Sequence, residues 1–322
     1  LHLDQAKRER LGDEGLKVRP LPPGAYLGLG SQIWTYIVLA HWELDGGDGL
    51  QRARKLADQI PAAAAIDDVY DLLAGSAGAI VPLLMLAGKT GDETYVRIAS
   101  QLGDLLHERA KHRNGHAYWT NILSPEGMGG FAHGVTGIGW ALARLARATG
   151  SARHAQLAQQ AFAFEDALFD EQEQNWRDLR TFEGPKATPA WCHGAVGIGL
   201  AHLDLDPTLT QTSTRKLVRR AAAATWRLGV GWNHCVCHGD LGAWELLDHA
   251  IAAGEAPKEL STSYLLDIIL TSLEQHGPSC GMGRNAFSPG LLPGLAGIAY
   301  QLLRAHPEHD LPSILTPSGA DL

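Results

Sequence analysis

Sulfur is scarce in this chain of 322 residues, which has four cysteines and three methionines. So few cysteines in a chain this long exclude a secreted disulfide framework. Cys192, Cys235, Cys237 and Cys280 therefore read as reduced thiols of a cytoplasmic protein, free to bind metal or do chemistry. Positive charge is in deficit too: 27 Lys and Arg face 35 Asp and Glu, for a net charge of −8. A nucleic-acid surface would be basic, and a negative field repels phosphate and anionic lipid. No apolar run reaches the roughly 20 residues of a membrane span. The first ten residues, Leu1 to Arg10, are too polar for a signal peptide. Strict apolar–polar alternation is scarce, which argues against a β fold. No glycine turn carries the Lys-Ser/Thr of a phosphate loop, and no strand precedes one.

Glycine and apolar helices are abundant. The chain has 37 glycines and is 45% hydrophobic. Residues 1–25 read as a linker or a truncated lead-in, charged and then broken by Pro20, Pro22 and Pro23. From Tyr26 to the end one unit recurs: a Gly-x-x-Gly turn, an apolar helix, a polar loop, then an amphipathic helix. The first glycines of the turns are Gly28, Gly75, Gly134, Gly194, Gly239 and Gly294, and Ser31 replaces the second glycine in the first copy. Helix-pair repeats of this length imply a helical array. Helices apolar on most sides are buried ones; 48–60, 92–110, 152–169, 214–228 and 258–275 keep a charged face and read as external. Buried and amphipathic helices in alternation predict an all-α, α/α toroid, an inner ring wrapped by an outer ring, with every turn facing a central space.

The residue before each first glycine reads Leu27, Ala74, His133, His193, His238 and Pro293. One place earlier, copies four and five carry Cys192 and Cys237. Repeat register therefore aims two thiols and three imidazoles at one cavity. Two thiolates and an imidazole form a zinc set with a fourth position open, and Cys192, Cys237 and His238 are the expected ligands. Both Cys237 and His238 can bind only if the turn is irregular, which Gly239 allows. The alternatives are two small buried cysteines without metal, or a closed structural zinc with Cys235 or Cys280 as fourth ligand. His133 has the histidine register without a cysteine, which suits a general acid/base. Asp71, four residues before Gly75, reads equally as a functional acid or as a loop and helix-capping acid. The segment Asn175–Arg180 is dense in polar groups, which a salt-bridged loop would also explain.

Trp191-Cys192-His193-Gly194 and Cys237-His238-Gly239 resemble the zinc motifs of LanC-like lanthipeptide cyclases. Phe131-Ala132-His133-Gly134 and Tyr70-Asp71-Leu72-Leu73-Ala74-Gly75 resemble that family's catalytic His and Asp motifs. The Trp-Cys-His-Gly form, preceded by a segment like Asn175–Arg180, is similar to the cyclase domain of class II (LanM-type) synthetases. The resemblance covers about residues 26–306. It implies an α/α toroid, usually of seven inner helices. Six turns here would make the ring one repeat short of seven, with the first repeat and a dehydratase domain expected upstream. It also implies a bound zinc ion and a dehydrated precursor peptide whose cysteines add to dehydroalanine or dehydrobutyrine, giving thioether rings. In that chemistry His133 is the acid/base, Asp71 orients a histidine or the peptide, and His193 is a second proton-transfer candidate. The rival readings are addition of glutathione or another small thiol to dehydrated peptides, an α/α-barrel glycosidase, and a non-catalytic zinc-containing peptide-binding module. A glycosidase needs two inward carboxylates, whereas the register positions carry His and Cys.

Overall fold

In the computed structural model the described residues are 20–121, 124–180, 187–283 and 286–318. Each of the six first glycines is the N-cap of a helix: Leu29–His41, Ser76–Thr90, Val135–Thr149, Ala195–Leu205, Asp240–Ala252 and Leu295–Arg304. Each of these touches the next, in chain order. They carry the core, including the fully buried Ile33, Ile80, Trp140, Ile198, Leu246 and Ile298. Burying a side chain of this size stabilises the fold by about 1.5–3 kcal/mol.

Between them run the amphipathic helices Gly49–Ala57, Thr94–Arg109, Ala152–Asp166, Thr212–Leu228 and Thr262–His276, each packed on the inner helix before it. A short helix, Ile60–Ala65, follows the first of them. The expected α/α toroid is therefore present, with six inner helices among the described residues. The strands described are two small antiparallel hairpins, Lys111–Arg113 with His116–Tyr118 and Phe169–Asp170 with Asn175–Trp176.

The second glycine of each turn is needed for a close approach. A Cβ on Gly78, Gly137, Gly197, Gly242 or Gly297 would fall 1.8–2.2 Å from the carbonyl oxygen six residues earlier. Each inner helix is thereby pressed against its own turn. In the first copy Gly30 has the same neighbour relation, to the Gly24 carbonyl, and Ser31 bonds the Gly28 carbonyl at 2.7 Å.

A collar of backbone hydrogen bonds joins the turns. Ala25 N–H donates to the Leu72 carbonyl, Leu73 to Ala132, Ala132 to Cys192, Trp191 to Cys237, and Cys237 to Leu292, at 2.9–3.2 Å. Equivalent residues of successive copies are thus held at one level of the ring. Side chains reinforce the collar from below: Asp204 accepts from Trp140 Nε1 at 2.6 Å and from Arg144 at 2.6 and 2.9 Å, tying the third inner helix to the fourth.

Candidate functional site

The collar brings Cys192 and Cys237 together, and their thiols are hydrogen-bonded to each other. The two thiols are shifted in opposite directions, Cys237 upward. Its bond to Cys192 and its burial push its pKa well up. Cys192 is pulled down, first by that bond and then by the charges of His133 and Arg180, against its burial.

Both thiols border a cavity of about 510 Å³ that also touches His238, Arg180, Trp191 and Trp232. His238 Nε2 lies 3.0 Å from the Gly281 carbonyl. A ligating histidine usually gives its other ring N–H to such an acceptor, and this contact would leave Nδ1 as the ring atom available to a metal. Among the described residues no three His, Cys, Asp or Glu side chains converge as a metal set. The thiol pair converges, and the His238 ring shares its cavity while turned toward Gly281. Two soft thiols and an imidazole with a pre-set outer partner are a donor set that fits zinc.

Cys235 and Cys280 do not join the pair. Cys235 Sγ accepts the His238 N–H at 3.5 Å beneath the turn, and Cys280 faces the Ser288 carbonyl at 3.6 Å.

On the other side of the thiol pair stand Asp71, His133 and His193. Asp71 makes contacts with both of its carboxylate oxygens. Its Oδ1 accepts from the backbone N–H groups of Ala74 and Gly75 at 2.9 and 3.0 Å, and its Oδ2 lies 2.9 Å from His133 Nδ1. A carboxylate so fixed makes Nδ1 the protonated nitrogen and leaves Nε2 to act. His133 stacks on His193, with centroids 5.1 Å apart and planes 18° from parallel. Burial first, then the charges of Arg180 and His133, pull His193 down to about 3, so it is neutral at physiological pH. His133 and Asp71 also line a cavity of about 740 Å³ with Leu27, Ile66, Asp67 and Asp68.

Two supporting residues were not visible as such in the sequence. Glu165, on an outer helix, reaches inward and accepts from Gly130 N–H and Thr136 Oγ1, both at 2.7 Å. It thereby holds the turn that carries His133, and burial pushes its carboxyl up to about 7. The only sequence signal was an acid on an amphipathic helix. Arg180 was visible only as part of a polar loop; it binds Asp178 and borders the thiol cavity.

A family model described as "lanthionine synthetase C-like protein" matches residues 20–316. The chain is similar to the lacticin 481/lactococcin biosynthesis protein LcnDR2 of Lactococcus lactis subsp. lactis, at 22% identity over 264 residues. That match takes in 77% of this chain and 26% of LcnDR2, so the chain spans about a quarter of that relative's length. Among solved structures, nisin cyclase superposes with a TM-score of 0.65 at 20% identity, over 92% of this chain and 78% of that one. A sugar epimerase from a ruminal bacterium superposes with a TM-score of 0.54 at 13% identity, over 89% of this chain and 90% of that one. At these identities the structural likeness carries the α/α toroid and nothing further.

Proposed function

The chain belongs to the lanthionine synthetase C-like family, and from that premise we propose that it is a zinc-dependent cyclase of dehydrated precursor peptides. Its reaction is the addition of a peptide cysteine to dehydroalanine or dehydrobutyrine to form a thioether ring. The observation that carries this reading is the pair of touching thiols, Cys192 and Cys237, one collar step from an Asp71–His133 dyad. The family and the Trp-Cys-His-Gly form favour a class II, LanM-type setting, in the cytoplasm and working with a dehydratase domain.

Cys192, Cys237 and His238 would hold the zinc. The ion, when bound, supplies an open position at which a substrate thiol loses its proton at neutral pH. The chain's own residues do the rest. The 740 Å³ cavity beside His133 accepts the peptide segment, with Leu27 and Ile66 offering exposed apolar contact. Asp71 holds His133 with Nε2 free. His133 Nε2 takes up the proton released by the substrate thiol and returns it to the α-carbon once the sulfur has joined the β-carbon. The proton count closes, because thiol plus alkene gives thioether with no net release. His193, neutral and stacked on His133, limits how far that ring can swing.

Cyclisation is favoured over glutathione addition by the acids Asp67, Asp68 and Asp71 along the cavity beside His133. They would repel the two carboxylates of glutathione.

The test uses zinc-loaded protein and a dehydrated precursor peptide, with remaining thiols counted by alkylation and mass spectrometry. Wild type should consume peptide thiols. Cys237→Ala should lose both zinc and activity. His133→Asn should keep about one zinc per chain and fall about 100- to 10,000-fold in rate, the usual cost of a lost general acid/base. Full activity in His133→Asn would remove His133 from the chemistry, and loss of its zinc would put His133 in the metal site.

A further inference from the structure

The polar segment that ends at Arg180 has no part in the scheme so far, yet it places a cation beside the reacting groups. Arg180 Nε donates to Asp178 Oδ1 and Oδ2 at 3.0 and 2.9 Å, and Nη2 donates to Oδ2 at 2.5 Å. The Asp178 side chain is 4% exposed, that of Arg180 26%. Burial pushes the Asp178 carboxyl up, but its bonds to Arg180 outweigh this and hold it below the ordinary carboxylate range. The pair is therefore a fixed ionic fork with its carboxylate buried and its guanidinium still reachable. Asp178 shares a small cleft with His193, Glu165 and Gly130, which sets the fork against the turns of copies three and four. Arg180 borders the thiol cavity with Cys192, Cys237 and His238, and among the described lining residues it is the only Lys or Arg.

The addition chemistry creates a charge on an oxygen, whereas the proton that His133 gains in the scheme is committed to the α-carbon. As sulfur bonds to the β-carbon, the carbon–carbon π bond breaks and its electron pair moves onto the carbonyl oxygen of the dehydro residue. The pair returns when the α-carbon takes a proton. The enolate oxygen therefore carries transient negative charge beside an already electron-rich pair of thiolates. Asp71, Asp67 and Asp68 would only oppose it, and His193 is uncharged. A preorganised guanidinium, already desolvated on one side by Asp178, suits this task.

We propose that Arg180 is a catalytic residue that receives the enolate oxygen, with Asp178 as its positioning residue. The inference rests on the cyclase reading and adds to it the group that stabilises the anion.

The experiment measures kcat, KM and zinc content of zinc-loaded Arg180→Ala, Arg180→Lys and Asp178→Asn on a dehydrated precursor peptide. Arg180→Ala should lose about 100- to 1,000-fold in kcat, the usual cost of an oxyanion donor, with KM and zinc unchanged. Free guanidinium ion at sub-denaturing concentration should restore part of that rate. Arg180→Lys should fall between Arg180→Ala and wild type, since it keeps the charge and loses the fork. Asp178→Asn should lose less than Arg180→Ala. Wild-type kcat in Arg180→Ala, a loss confined to KM, or a loss that follows zinc content would each overturn the assignment. A wild-type enzyme that leaves peptide thiols free overturns the cyclase reading, and this inference with it. A wild type that cyclises alongside an equally active Arg180→Ala overturns the Arg180 role alone.

Discussion

At the scale of single residues, the site depends on atoms that have no side-chain signature. The Gly281 carbonyl orients His238, and Gly281 must stay a glycine. A Cβ there would fall 2.4 Å from Cys235 Sγ and 2.6 Å from His238 Nε2. Gly281→Ala should therefore displace the imidazole and weaken zinc binding by about 10- to 100-fold, the usual effect of disturbing an outer partner. Competition with a chromophoric chelator measures this, and unchanged affinity would free His238 from any need of that carbonyl. The approach of the two thiols could be read from repeat register, because register fixes which residues share a level of the ring; Asp71 stands outside that register, and only the family resemblance linked it to a histidine. The Gly281 contact could not, since a backbone acceptor in a glycine-rich loop leaves no trace in residue type. Arg180 was half legible: its polar segment stood out, but its partner and its cavity did not.

At the scale of elements, all six inner helices began at the glycines the repeat had marked, and the outer helices matched within a few residues. Glycine spacing and apolar stretches are local properties, so sequence shows them. What escaped was the link between rings. Glu165 leaves an outer helix to brace the inner turn Gly129–Gly134, and an inward acid on an amphipathic helix looks like any other polar residue. Its raised pKa makes a signed prediction. A carboxyl at about 7 when folded and near 4.3 when unfolded binds more protons in the native state between those values. Its stabilising share is full below about pH 4.3 and is lost as pH rises through 7. Glu165→Gln, whose amide oxygen can still accept from Gly130 and Thr136, removes that titration. The stability difference between wild type and Glu165→Gln should drift against wild type by up to about 3 kcal/mol between pH 4.5 and 8. Chemical denaturation across that range reads it, and a flat difference would mean that Glu165 titrates normally. Buried His202, lowered to about 4 by burial, titrates equally in both proteins and cancels in the difference.

At the scale of the whole molecule, the question is how a ring whose first and last inner helices share little direct contact stays closed. Residues 1–19 lie outside the described residues, and Pro22, Pro23 and Gly24 bond back to the start of their own helix. Closure comes instead from the segment after the last helix. Ser313 binds Glu245 of the fifth inner helix, which also accepts from Gln301 at 2.7 Å and Arg304 at 2.5 Å. The Leu315 carbonyl accepts from Tyr26 Oη at 3.1 Å and from Trp191 Nε1 at 2.9 Å. Tyr26 and Trp191, from the first and fourth turns, meet edge to face with centroids 4.9 Å apart. One strap thus joins four copies across the ring, and its anchor Trp191 is the residue before Cys192. Burial of Ile314 and Leu315 alone is worth about 3–6 kcal/mol, a large fraction of a typical domain's stability. Removing residues 311–322 should therefore lower the melting temperature sharply and, by freeing Trp191, weaken zinc binding as well. Trp191→Phe keeps the ring and loses one buried N–H bond, so it should cost about 1–3 kcal/mol with a smaller loss of zinc affinity. Thermal melts with and without zinc separate the two effects. If the truncated chain melts lower but binds zinc as tightly as wild type, the strap serves closure alone and the thiol pair is held by the collar. If both are unchanged, the ring closes without the strap, and the paired turns at Tyr26 and Trp191 are sufficient.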